Sequence, residues 1–409
     1  LLRFAAHTER SGVDPFFSVQ SRRSCDLWDS KVKSLCKVVF SVLGCLPVGL
    51  AIEGERAGEV LVFRGAGDAS AAVALSNDTF IVADDENNVL RVYRISETGL
   101  PADSYDMTGF LDIEPEHPEA DIEGATAIGR RIYWITSHGR NKDGEIRPSR
   151  YRFFATDMSV DGGHVTIEPV GKPCRTLIHE LVRSETGRRL GLDRATRFDA
   201  ADLKKKERER LAPKEEGLNI EGLCASPDGR TLYIGFRNPR PANMPVPSRV
   251  EGRTGRAEAI VVPLQNPAGV VERGEAPVFG EPLLWDLAGL GIRSMEYSQF
   301  HKAYFIIAGG PDDDDDGEFV LYRWSGNQDQ EPVPVRKLDV GRSQFSPEAL
   351  IPFADSGRLL LLSDDGSLPI KVAGPHECME GEYRKDGTCL NKFLLDPNKK
   401  TFRALWLVP

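Results

Sequence analysis

The chain has 409 residues, 40% hydrophobic and 28% charged, enough apolar matter for a large core. Its formal net charge of −10 argues against nucleic acid as the main partner, and no apolar run reaches the roughly 18 residues that a membrane span needs. Its seven cysteines include no C-x-x-C pair, which speaks against a zinc ribbon or a thioredoxin-type site.

Residues 1–51 differ in character from the rest. The first 30 are mixed and aperiodic. Lys31, Lys33 and Lys37 then precede an apolar run from Val38 to Ala51. A basic stretch, a short apolar stretch and small residues make up a secretory signal peptide, with Gly49-Leu50-Ala51 as an acceptable cleavage site. Residues 1–30 then reflect an upstream start. Val42-Leu43-Gly44-Cys45 also resembles a lipoprotein box, and an ordinary buried helix is the alternative. The signal implies a periplasmic or secreted protein. Cys378 and Cys389 bracket a polar loop, and a disulfide there closes about a dozen residues, worth roughly 3 kcal/mol. Cys224 reads as an inert buried thiol.

From about Gly58 to Pro409 the chain reads as one domain of grouped strands. The first group is Ala71–Leu75, Phe80–Ala83, Val89–Arg94 and a strand near Phe110–Asp112. The second follows Glu123, with Arg131–Ile135, Arg150–Asp157 and Val165–Val170. The third follows Glu221, turns at Pro227-Asp228-Gly229, and continues through Leu232–Phe236, Ala257–Leu264 and Pro282–Leu287. The fourth follows Arg293-Ser294-Met295-Glu296, with Tyr304–Ile307, Glu318–Trp324 and Val333–Val340. The fifth follows Glu348, with Leu359–Leu362, Asn391–Leu395 and Thr401–Leu407. Such recurrence predicts an all-β fold, a β-propeller of five four-stranded blades. A spare strand, Glu59–Arg64, either closes the ring on the last blade or belongs to a sixth. A charged helical insertion spans 179–216. Its segment Ala200–Leu211 reads as a helix ended by Pro213, either a surface excursion or a lid over the ring mouth. Arg237–Arg256, rich in Pro, Arg and Gly, reads as a loop.

In an antiparallel hairpin the start of the first strand and the end of the second share one end. The second strands end in Asp84-Asp85-Glu86-Asn87, Ser137 to Asn141, Arg237-Asn238, the Asp312 to Asp316 loop and Ser363-Asp364-Asp365. One face therefore gathers Glu123, Glu221, Glu296 and Glu348 near Asp84 and Asp364, with His138, Arg140 and Arg237 as candidate catalytic groups. Oxygen-rich clusters suit Ca²⁺ or Mg²⁺, and Asp312, Asp314 and Asp316 follow the front half of a Ca²⁺ loop, although Arg323 stands where an EF-hand has Glu. Two bland alternatives stand beside these. The Glu residues can pair with Arg293, Arg140 or Arg237 to lock the blades, and the Asp run can be a solvated turn. His179-Glu180 begins like a zinc motif but lacks the second His, and no G-x-S-x-G or P-loop occurs.

Several motifs occur in order over roughly residues 60–370: Ala120-Asp121-Ile122-Glu123-Gly124, Ser137-His138-Gly139-Arg140-Asn141, Asn219-Ile220-Glu221-Gly222, Ile234 to Pro239, Gly291 to Ser294 and Leu362 to Gly366. With Val82 to Asn87 they resemble the bacterial family called domain of unknown function 3616, which implies the fold and little mechanism. The I-E-G element is also similar to phytase-like esterase propellers, a resemblance that implies calcium and phosphate esters. Two functions follow as expectations. One is a monomeric cation-binding propeller that hydrolyses small anionic esters. The other is a non-catalytic propeller that binds a protein or glycan on the same face.

Overall fold

The computed structural model describes residues 60–200, 202–213, 216–240, 258–310, 318–338 and 344–409. The signal-peptide segment and Asp312, Asp314 and Asp316 lie outside the described residues. Short runs of β-branched and aromatic residues punctuated by Gly, Pro and Asp turns give five antiparallel four-stranded sheets. Blade 1 is Ala69–Ala74, Thr79–Asp84, Val89–Arg94 and Asp103–Asp106. Blade 2 is Ile122–Ile128, Arg131–Thr136, Phe153–Asp161 and His164–Cys174. Blade 3 is Asn219–Ala225, Leu232–Asn238, Ala259–Leu264 and Leu283–Trp285. Blade 4 is Gly291–Ser298, Ala303–Gly309, Phe319–Trp324 and Val333–Leu338. Blade 5 is Ser346–Pro352, Leu359–Asp364, Thr401–Leu407 and, outermost, Val60–Arg64. The first strands of neighbouring blades pack side by side all round, including blade 5 against blade 1, so the sheets form a closed ring. Second strands are sandwiched on both faces, which explains continuous apolar runs such as Leu359-Leu360-Leu361-Leu362, all buried.

The first expected architecture therefore holds: five blades, closed by the spare strand, which pairs Val60 with Leu405 and Arg64 with Thr401. There is no sixth sheet of this kind among the described residues. Two strand assignments need correction. The fourth strand of blade 1 is Asp103–Asp106, and Thr108–Leu111 is a helical turn. Leu111 is buried and Phe110 packs edge-on against Phe154 at 6.2 Å, so this apolar pair fills the gap between blades instead of extending a sheet. Asn391–Phe393 is a 3-10 turn, because the N-terminal strand already occupies the outer place in blade 5. Asn391 is buried there and donates to the carbonyls of Asp365 and Thr401.

The insertion is helical, in four short pieces: Leu177–Arg183, Glu185–Arg189, Leu192–Thr196 and Lys205–Glu209. The helix predicted over 200–211 is reduced to the last of these, which buries no side chain. Anchoring comes from upstream, where Leu177, Ile178, Leu181, Leu190 and Leu192 join the core shared by blades 2 and 3. Among the described residues no helix is long and apolar enough to cross a membrane. Cys378 and Cys389 are buried, with their thiols against one another beside Leu394.

Candidate functional site: a charged ring mouth

Each hairpin at the ring's centre slips register by one residue at the same place. The skipped residues are Ser70, Glu123, Glu221, Arg293 and Glu348. A bulged residue leaves the ladder, and the local twist re-aims its side chain. Glycine follows the bulged Glu in two blades for a steric reason. A Cβ on Gly124 would stand 3.0 Å from Leu223 Cβ and 3.2 Å from its backbone nitrogen, so blade 3 can approach only a glycine. These five positions form one ring. Glu296 is not among them: blade 4 places Arg293 there.

The mouth is divided by charge. On blades 1 and 2, Asp68, Asp84 and Asp85 present carboxylate oxygens within 4.8 Å of one another, and Asp85, Asp121 and Glu123 do the same. Asp85 belongs to both groups. Asp84 sits at the end of a second strand and is 1% exposed; it accepts from the backbone N–H groups of Gly67 and Glu86. Asp68 is 4% exposed and forms a backbone bridge to Asp364 of blade 5, whose side chain accepts from Gly366 N–H. Oδ1 of Asp68 and Oδ1 of Asp85 are buried without a hydrogen-bond partner. Asp121 holds a left-handed conformation (φ 61°), which Asp tolerates; it accepts from Ser137 Oγ and forms an ion pair with Arg150 at 3.0 Å. Burial first, and neighbouring carboxylates second, push Asp68, Asp85 and Glu123 well above the usual carboxylate range. Lys392, reaching in from the segment between the second and third strands of blade 5, pairs with Glu86 at 2.7 Å.

On blades 3 to 5 the charges are matched. Glu221 accepts from Arg237 at 2.9 Å and from Asn219 at 2.7 Å, and faces Arg293 Nε at 3.2 Å. Arg293 also pairs with Glu348. Arg237 further donates to the carbonyl of Gly310. Glu221, Arg237, Arg293 and Glu348 are all buried. Sequence alone named Glu123 and Asp84, now in the carboxylate groups, and Glu221 and Glu348, now in the paired network. It passed over Asp68, and quoted Asp85 and Asp121 without giving them a role. The available signal was position: each flanks a bulge or ends a second strand.

Glu296 lies at the opposite end of the channel, in a cavity of about 440 Å³ lined by the first-to-second strand turns Ile128-Gly129 and Ser226 to Gly229. Thr126 of blade 2 donates to it at 3.1 Å. Burial raises its pKa to about 8, against the pull of Thr126 and Cys224. An unfolded chain releases this proton near pH 4.5, whereas the folded chain keeps it until about pH 8. Stability is therefore lost as pH rises through that window. Glu296→Gln removes the loss: it is expected to gain about 2 kcal/mol on wild type at pH 8 and nothing at pH 4, a figure held down because the cavity admits solvent. Urea unfolding of both proteins at the two pH values measures it, and an equal difference at both would refute it.

His138 and Arg140 do not join the carboxylates. Both are buried beneath the insertion, beside Tyr151 and His179. His138 is held near 4 by burial, opposed by its bond to Thr136 and reinforced by His179 and Arg152.

Fold and mouth together define a class: a five-bladed β-propeller with an acidic arc and an ion-paired arc at one channel mouth. The chain belongs to the family described as "Protein of unknown function (DUF3616)", whose model matches residues 68–150 and 200–357. A search of curated proteins finds no match. Among solved structures, the chain is similar to the glutaminyl cyclase of Myxococcus xanthus at 12% identity, covering 74% of this chain and 88% of that one, with a TM-score of 0.36. It is also similar to the PQQ-bound aldose sugar dehydrogenase of Streptomyces coelicolor at 10% identity, covering 86% and 98%, with a TM-score of 0.35. A glucose dehydrogenase-like oxidoreductase of Thermus thermophilus matches at 12% identity over 86% and 100%, with a TM-score of 0.35.

Proposed function

We propose that this propeller binds a divalent cation, Ca²⁺ by donor chemistry, in the carboxylate arc of blades 1 and 2. The observation that carries the reading is Asp85, which stands in both carboxylate triads with a buried oxygen that no protein group satisfies. An all-oxygen anionic set suits a hard cation, and Asp68, with its own unpartnered buried oxygen, adds a second donor on the same side. Asp84, Asp121 and Glu123 complete the candidate ligands. A bare carboxylate arc repels anions, whereas an arc neutralised by a cation accepts a small anionic ligand. Hydrolysis of a phosphate-type ester is the catalytic form of this reading; a cation held by these carboxylates would supply Lewis-acid polarisation of the ester oxygen. Docking of a protein or glycan is its non-catalytic form.

Thermal unfolding with Ca²⁺ and with chelator tests the reading. Ca²⁺ at 100 times its Kd should stabilise wild type by about 2.7 kcal/mol. Asp85→Asn keeps shape and loses charge, so it should abolish the Ca²⁺ response and leave the chelated protein as stable as wild type or slightly more so, since like charges no longer oppose one another. Wild type with no response to Ca²⁺ or chelator would refute cation binding. A panel of phosphate and carboxylate esters then separates the two forms.

A further inference from the structure

Beneath the insertion lies a second group of polar side chains with unmet bonding. His138 is 1% exposed, Tyr151 4% and Arg140 6%. His138 Nε2, Tyr151 Oη, Arg140 Nε and His179 Nδ1 are buried, and each lacks a hydrogen-bond partner. The four residues are neighbours. The His138 and Tyr151 rings are 5.9 Å apart, those of Tyr151 and His179 are 5.6 Å apart, and His179 stacks on Phe198 at 4.2 Å. Arg140 lies close enough to Tyr151 to oppose the burial that lifts its phenol to about 12. Buried polar atoms are nearly always satisfied, so four orphans in one place call for a bound group.

The chemistry of the four atoms selects that group. Arg140 donates its other nitrogens to the carbonyls of Gly144 (2.9 Å) and Thr196 (2.7 Å). No carboxylate pairs with it among the described residues, and Arg208 and Arg197 add positive charge nearby. A buried guanidinium without a counter-charge calls for an anion and rejects a metal ion. Tyr151 supplies an O–H donor and Arg140 an N–H donor. His138 supplies the reverse. Its Nδ1 lies 2.8 Å from the Thr136 carbonyl, which can only accept, so Nδ1 carries the ring proton and Nε2 is left as an acceptor. The bound anion must therefore offer a proton as well as lone pairs. His179 and Phe198 are only partly buried, so this side of the group lies nearest to solvent.

We propose that the buried polar group formed by His138, Arg140, Tyr151 and His179 binds a small protonated oxyanion of the hydrogen phosphate type. The insertion's helices Leu177–Arg183 and Leu192–Thr196 wall it, placing His179 and the Thr196 carbonyl. The site stands apart from the carboxylate arc and needs no cation.

The test is thermal unfolding of the full chain in chelator with inorganic phosphate or sulfate, with phosphorus NMR line broadening as a direct readout. Phosphate should raise the midpoint saturably, and sulfate, which carries no proton at neutral pH, should act at least about 10-fold more weakly, the loss of one bond to a charged group. Arg140→Gln should abolish the phosphate response, but it also strips the carbonyls of Gly144, Thr196 and Arg197 of their donor and can unfold the insertion. Tyr151→Phe is the decisive variant, because it removes only an unpartnered hydroxyl. Its midpoint without phosphate should match or exceed wild type, while its phosphate affinity falls about 10-fold or more. Asp85→Asn should keep the full phosphate response, which separates this site from the mouth. Wild type indifferent to phosphate means that water alone satisfies these four atoms, and that result overturns the proposal. So does an unchanged affinity in Tyr151→Phe.

Discussion

Arg293→Met is expected to destabilise the protein by about 3–5 kcal/mol, the cost of leaving buried charge without its partner. Arg293 stands between Glu221 and Glu348, pairs with both, and is 3% exposed by side chain; the two carboxylates are 3% and 9% exposed. Methionine keeps the unbranched apolar stem and removes the guanidinium, which sits over the Phe319 ring at 5.9 Å. What it removes is the charge. Glu221 retains Arg237, but Glu348 loses the partner that faces it. The loss should be the same with Ca²⁺ and with chelator, because this arc is already neutral and has no need of a cation. Adding Glu348→Gln to Arg293→Met should then cost little further, since the two residues act as a unit. Denaturant unfolding of the single and double variants measures this. A loss below about 1 kcal/mol for Arg293→Met would show that the pairs are screened as surface pairs are, and the view of this arc as structural would fall.

Phe63→Ala is expected to cost about 3–5 kcal/mol through the cavity it leaves. Phe63 is fully buried in the outermost strand of blade 5, stacked on Phe402 at 5.2 Å and edge-on to Phe80 at 5.2 Å and Tyr93 at 5.4 Å. Phe402 belongs to blade 5, whereas Phe80 and Tyr93 belong to blade 1, so one ring fastens the closing strand to both sides of the seam. Val62, its neighbour, is 46% exposed and points the other way. Val62→Ala, with the same backbone and the same ladder, should change stability by less than about 0.5 kcal/mol. If both variants behave alike, the closing strand holds by its backbone pairing alone and the aromatic seam contributes nothing.

The seam and the mouth differ in how far the chain announces them. Strand runs such as Leu232–Phe236 and Leu359–Leu362, with their turn residues, could be read directly, because a strand buried on both faces must be apolar along its length. Five such runs, each after a short inner strand, were enough for a propeller. The place of Val60–Arg64 was harder, since its partner Thr401–Leu407 lies at the other end of the chain, and only ring closure makes them neighbours.

Within the mouth, sequence determined that acidic residues would converge on one end of the channel, as hairpin geometry requires. It did not determine which of them would be matched. Glu123 and Glu221 carry the same I-E-G motif, yet one stands among carboxylates and the other between two arginines. That distinction rests on which blade lies alongside. Glu296 shows the same dependence: three residues beyond the bulge move it to the far end of the channel, and the bulge emerges only once the strands are in register. His138 and Arg140 were legible as polar residues after a strand, but not as residues roofed by the insertion, whose anchoring leucines pack across blades 2 and 3. Local pattern sets strand, turn and facing. Pairing, burial and charge balance depend on contacts between residues far apart in the chain, and only the closed ring brings those together.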